Sequence, residues 1–139
     1  MDLPEQLLRD SKTIAVVGLS PRPDRASFRV AQYLQNHGYR IIPVNPNARD
    51  VLGEHCYPDL TSVPEAIDLV DVFRRSDAVE PIVVEAIAVG AKAVWMQDGI
   101  INEAAAELAR SAGLLVVMDD CMMREHRQLG LPDQQAEQR

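Results

Sequence analysis

A doubly wound α/β fold, an open parallel sheet with helices on both faces, is what this sequence predicts, and three observations predict it. The first is Lys12 to Val17, an apolar, β-branched run that barely alternates, as suits a strand buried on both faces of a parallel sheet. The second is the way that run ends. It stops at Gly18-Leu19-Ser20-Pro21-Arg22-Pro23-Asp24-Arg25, and an amphipathic segment with Phe28, Val30, Ala31, Tyr33 and Leu34 at helical spacing takes over. The third is that strand and helix go on alternating, about five times in all, which is the rhythm of crossover connections on a covered sheet.

Taken in order, Asp2-Leu3-Pro4 starts a helix, with Asp2 as N-cap and Pro4 in the first turn, that runs to about Asp10. After the first strand and its turn, a helix from near Ala26 ends at Asn36-His37, with Gly38 in the position that tolerates a left-handed backbone. Arg40 to Val44 is a second strand. Pro43 cannot donate to a ladder, so the strand bulges there or has a locally free side. Gly53 to Pro58 holds a very short third strand, and Ser62 to Ala66 one helical turn. Asp68 to Phe73 is a fourth strand, in which Asp71 is an unusual residue. A helix spans Pro81 to Val89 with Gly90 as its stop, and Lys92 to Met96 is the fifth strand. Asn102 caps a helix over Glu103 to Ala112, Leu114 to Met118 is the sixth strand, and Met122 to Leu129 the last helix.

The chain has 139 residues, 47% of them hydrophobic, enough for one core. The expected organisation is a single domain over residues 1–131 and a polar C-terminal tail over 132–139. No apolar run is long enough to span a bilayer, no secretory signal is visible, and two cysteines are too few for a disulfide framework, so a cytoplasmic protein is expected. The net charge of −7 argues against a general nucleic-acid surface. Against that acidic background, Arg22, Arg25 and Arg29 gather around one turn and Arg74-Arg75 follow another strand directly.

A strand, a glycine-bearing turn and a helix form half of a mononucleotide-binding unit, which aims free backbone N–H groups and a helix dipole at a phosphate. In a Rossmann-like sheet the ligand sits outside the carboxyl ends of the strands, where their order reverses. A dinucleotide fingerprint, however, needs G-x-G-x-x-G and an acidic residue closing the second strand. Here only Gly18 is present, the other glycine places hold Ser20 and Pro23, and the second strand ends in Asn45-Pro46. Both halves fail together, which disfavours NAD.

Several stretches, in order and at matching spacing, resemble one family. They are Ile14 to Pro21, Pro43-Val44-Asn45-Pro46, Leu52-Gly53 with Tyr57-Pro58, Val70 to Arg75, Gly90-Ala91-Lys92, Trp95-Met96-Gln97 and Cys121 to His126. The family is the small stand-alone CoA-binding domain proteins, whose fold is similar to the N-terminal domain of the succinyl-CoA synthetase α subunit. The resemblance covers about Ser11 to Leu129 and implies coenzyme A, or an acyl-CoA, as a small-molecule ligand. By that likeness Gly18, Leu19 and Ser20 meet the pyrophosphate, and Arg25 and Ser27 complete the anion site. Asn45 and Pro46 border the adenosine, Phe73, Arg74 and Arg75 flank the ligand, and Gln97 either touches it or caps a loop. Two positions depart from the family pattern. Asn47 stands where lysine is common, and Asp120 where a basic or amide residue is common, which leaves the 3′-phosphate contact unassigned.

No nucleophile–base pair, metal-ligand spacing or Walker-type loop emerges, so no catalytic residue is named and binding without turnover is the expectation. The alternative is a nucleotide-dependent enzyme, either an NAD(P)-linked oxidoreductase or one using Cys121, at the start of the last helix, for acyl or thiol chemistry. Three further expectations concern single residues. Asp71 is read as a structural carboxylate paired with a backbone N–H or an arginine, Trp95 and Met96 as core or pocket wall, and His126 as a solvated surface histidine. The residues do not reveal a protein partner.

Overall fold

The computed structural model describes residues 1–134. Five parallel strands, β1 (Thr13–Val17), β2 (Arg40–Val44), β5 (Leu69–Val72), β6 (Ala93–Met96) and β7 (Leu115–Val117), form one sheet in the order β2-β1-β5-β6-β7. The remaining strands, β3 (Asp50–Val51) and β4 (Glu54–His55), make a separate antiparallel hairpin. The chain therefore moves outward from β1 to β2, then returns to the other side of β1 and builds on through β5, β6 and β7. The order reverses between β1 and β5, so the carboxyl ends of those two strands open a crevice by topology alone.

Alternate residues of each strand face opposite layers. Ala15, Val17, Val70, Val72 and Met96 face α3 (Val79–Ala88) and α4 (Glu103–Ser111). Ile14, Val16, Leu69 and Trp95 face α1 (Leu3–Asp10), α2 (Ala26–Asn36) and α5 (Met122–Leu129). This is the doubly wound architecture the sequence predicts. Trp95 and Met96 are both fully buried core, one on each face. Asp2 and Asn102 cap α1 and α4 through their side chains as expected, and Gly38 ends the turn after α2 at φ +92°.

Three local departures have local causes. The short third strand becomes the β3–β4 hairpin, because Leu52 (φ +56°) and Gly53 (φ +76°) make a two-residue loop with both φ values positive. The amide of Gln35 donates to the Leu52 carbonyl and steadies that left-handed leucine. The helical turn near residue 62 is a 3-10 turn over Leu60–Ser62, capped by Asp59, and α3 starts two residues before Pro81. Pro43 lies on an edge strand: β2 pairs with β1 on one side only, and on the other the Pro43 carbonyl accepts the Tyr57 N–H.

The polar tail expected from Pro132 begins with residues that turn back onto the domain. Gln134 is 2% exposed; its backbone N–H donates to the His37 carbonyl and its amide to the carbonyls of Leu8 and Arg9. Residues 135–139 of that tail lie outside the described residues.

Candidate functional site

Gly18 leaves the end of β1 at φ +86°, and its N–H donates to the Val44 carbonyl while Phe73 N–H donates to the Val17 carbonyl. The β1–β2 and β1–β5 ladders are thus carried one residue beyond the strands, which draws the Gly18 and Phe73 turns together. A Cβ at position 18 would collide with the Phe73 carbonyl oxygen and meet the Arg74 side chain at 3.0 Å. Only glycine satisfies both the backbone angle and the approach.

Beyond Gly18 the chain folds into a small hydrogen-bonded cup. Ser20 N–H donates to Ser27 Oγ at 3.0 Å, and Ser20 Oγ accepts the Arg22 N–H at 3.1 Å. Each hydroxyl accepts a backbone proton, so each keeps its own O–H to donate. Ser27 sits in the first turn of α2, whose N-cap is Arg25, a side chain that accepts nothing from the first-turn N–H groups. Those donors stay available and carry the positive end of the helix dipole. Gly18, Ser20, Arg25, Ala26, Ser27 and Phe73 line an open groove of about 330 Å³ here.

The arginines of this region differ in ways the sequence does not show. Arg22 pairs with Asp24 at 3.1 Å, Arg29 donates to the Asp24 carbonyl at 2.7 Å, and Arg75 pairs with Asp77 at 3.3 Å, out in solvent. The guanidinium groups of Arg25 and Arg74 have no ion-pair or hydrogen-bond partner among the described residues. Both border the crevice, Arg25 on the α2 side and Arg74 on the α3 side. A diphosphate placed against Gly18 would lie between two unpaired cations.

On the other side of Gly18 a second cavity, of about 140 Å³, runs under the end of β2. Its walls are apolar at Val17, Val44, Pro46, Pro58, Leu60 and Ile82, and polar at Asp59, Glu85 and Arg74. Asn45 holds the two turns together instead of lining it. Its amide donates to the Leu19 carbonyl and its Oδ1 accepts the Asn47 N–H. Leu19 turns its side chain wholly into the core. Sequence reasoning found Pro46 but not Asp59, Leu60, Ile82 or Glu85. These come from a 3-10 turn and a helix remote in the chain, and nothing in their spacing distinguishes them from ordinary turn and helix positions.

Some of the residues singled out in the sequence lie away from the crevice. Gln97 is 3% exposed and donates its amide to Asp71 Oδ1, so the side chain is committed to the interior. Asp71 itself is fully buried, with Val16 and Trp95 as its neighbours across the strands. Among the described residues the expected backbone or arginine partner is replaced by Gln97 alone, and Oδ2 has no partner. Burial pushes the Asp71 carboxyl up to about 7 against the opposing effect of the Gln97 hydrogen bond. His126 is also corrected: it is 1% exposed, not solvated, and its Nδ1 meets the Tyr33 hydroxyl at 2.9 Å where α5 packs on α2. Burial pushes that imidazole down, and His37 adds to the effect. Cys121 is buried at the N-cap of α5, where Asp120 accepts its N–H and also pairs with Arg124.

Comparison with known proteins adds an independent line. The CoA binding domain family matches residues 12–127. A relative from Bacillus subtilis, YneT, is 41% identical over 122 residues, covering 88% of this chain and 90% of its own. The acetate–CoA ligase (ADP-forming) I of Archaeoglobus fulgidus is 26% identical over 121 residues, which is 80% of this chain but only 18% of the ligase. Among solved structures, a hypothetical protein from Pyrococcus horikoshii OT3 superposes with a TM-score of 0.89 at 42% identity, covering 92% of this chain and 90% of the other.

Proposed function

This chain belongs to the CoA-binding domain family, and from that premise we propose that it binds coenzyme A or an acyl-CoA at the β1–β5 crevice and carries out no reaction itself. The observation that carries the reading is the pairing of a glycine-enforced turn at Gly18 with two unpaired guanidinium groups, Arg25 and Arg74, beside an uncapped helix start. Charge-assisted donors of this kind hold phosphate oxygens strongly. In this reading the diphosphate lies in the cup formed by Gly18, Ser20 and Ser27. The nucleoside enters the apolar cavity at Pro46, because the first βαβ unit of such folds puts the ribose over the end of the second strand.

The same residues suit binding more than turnover. Cys121 and Cys56 are buried free thiols, and the crevice is lined by hydrogen-bond donors, two carboxylates and apolar walls, with no nucleophile–base pair among the described residues. The ligase relative is several times longer than this chain, so its activity is a property of that longer protein. The chain would act as a carrier, a sensor or one subunit of a larger assembly. Isothermal titration with CoA, acetyl-CoA, NAD and ATP tests the reading. Binding of the two CoA species and silence with NAD are expected; folded protein that ignores both CoA species at low salt would remove it.

A further inference from the structure

Building on the CoA reading, we infer that the cavity under β2 recognises the ribose as a diol and not through a 3′-phosphate, so that 3′-dephospho-CoA binds at least as well as CoA. The charges around the cavity are unevenly placed. The diphosphate cup and the nucleoside cavity meet at Gly18, and among the described residues Arg74 is the one cation on the cavity wall. It is also the cation that faces the diphosphate from the α3 side. The other charged groups on the cavity wall are carboxylates, Asp59 and Glu85.

Those two carboxylates are half used. Glu85 Oε1 accepts the Leu60 N–H at 2.9 Å, and Asp59 Oδ1 accepts from Thr61 and Ser62. The Ser62 and Thr61 hydroxyls hold the Asp59 carboxyl below its ordinary value, so it is an anion at neutral pH. The second oxygen of each makes no hydrogen bond among the described residues. A carboxylate oxygen accepts from a ribose hydroxyl, as an acidic residue at the end of the second strand does in dinucleotide sites, and it repels a phosphate. Here the turn after the second strand supplies the neutral side chains of Asn45, which accepts the Asn47 backbone N–H and donates to the Leu19 carbonyl, and of Asn47, and the acidic function arrives instead from the 3-10 turn and α3.

The test titrates the full chain with CoA and with 3′-dephospho-CoA at one ionic strength. Dissociation constants within threefold of each other, or tighter for the dephospho form, are expected. CoA tighter by more than threefold would overturn the inference and leave the CoA reading standing; silence with both ligands would overturn the two together. Glu85→Gln keeps an acceptor for the Leu60 N–H and removes the charge. It should move the ratio of the two constants at least threefold in favour of CoA, and an unmoved ratio would overturn the role given to this carboxylate.

Discussion

The two ends of the sheet hold pockets of opposite character. At the amino end of the strands, Lys12, Thr13, Gln35, Gly38, Arg40 and Glu54 border a depression of about 470 Å³, larger than either cavity at the carboxyl end. Yet its polar groups answer one another. Asp68 Oδ2 accepts the backbone N–H groups of both Lys12 and Thr13, and Arg40 is held between Glu54 and Glu65 at 2.6 Å from each. At the carboxyl end of β1 and β5, Arg25 and Arg74 stand unanswered among the described residues and α2 begins without a side-chain cap. On the proposed reading, volume does not mark the binding site. Unmet hydrogen-bonding and charge capacity does, because it is what a ligand can satisfy without displacing a protein group.

The hardest blow to that contrast is Gly18→Ala. The left-handed backbone costs about 1–2 kcal/mol for any other residue, and the Cβ would also have to displace the Phe73 carbonyl. Opening the β1–β5 crevice by that much should lower CoA affinity by at least a hundredfold and reduce the melting temperature, read by titration calorimetry and thermal denaturation on one preparation. Next in size are Arg25→Ala and Arg74→Ala. Each removes an unpaired cation, so each should weaken CoA binding by about 1.5–3 kcal/mol while leaving the melting temperature in place. A fall in stability without loss of affinity would show that the two arginines serve the fold.

These arginines also show where a sequence stops being informative. The strand runs, the glycine stops and the caps Asp2 and Asn102 are local signals, so the sheet and its helices were legible from periodicity and punctuation. Gly18, Ser20, Ser27 and Arg25 were legible for the same reason, since all sit within one turn. Partnership across the chain could not be read. Arg25 and Arg29 look alike in sequence, but Arg29 reaches the Asp24 carbonyl and the Arg25 guanidinium has no partner among the described residues. Gln97 finds Asp71 across 26 residues, and His126 is buried because Tyr33 lies opposite it on α2, 93 residues away. The β3–β4 hairpin has two residues per strand, too few to show an alternation.

Asp71 sharpens the contrast from beneath, as an unmet group that no ligand in the crevice answers. Its carboxyl is raised from 3.8 to about 7, so the folded state holds a proton that the unfolded state has lost between those values. Stability attributable to this residue is therefore greatest below about pH 4 and falls as pH rises toward 7. Asp71→Asn keeps an oxygen for the Gln97 amide and cannot ionise. Relative to the parent, it should gain roughly 2–3 kcal/mol on going from pH 5 to pH 8, measured by urea denaturation. His126, whose depressed pKa works in the other direction by removing stability as pH falls below about 6.5, is common to both proteins and cancels in the difference. A parent and variant with parallel pH profiles would show that Asp71 is ionised in the fold.

The smallest effect is expected at the other end of the sheet, and its smallness is the point. The Arg40 side chain is 39% exposed and joins β2 to Glu54 in the hairpin and to Glu65 in the segment before β5. Glu65, the stronger partner, and Glu54 together push the guanidinium pKa upward, but a pair this open to water is screened. Removing it should cost about 1 kcal/mol at most, a shift of roughly 2–4 °C in melting temperature for a chain of this size. The substitution Arg40→Ala leaves two carboxylates without their cation and should leave CoA affinity within twofold of the parent. Arg25→Ala should do the reverse, moving affinity and not melting. If both variants moved both quantities, charge at the two ends would be serving one global field, and the distinction between answered and unanswered groups would lose its meaning for function.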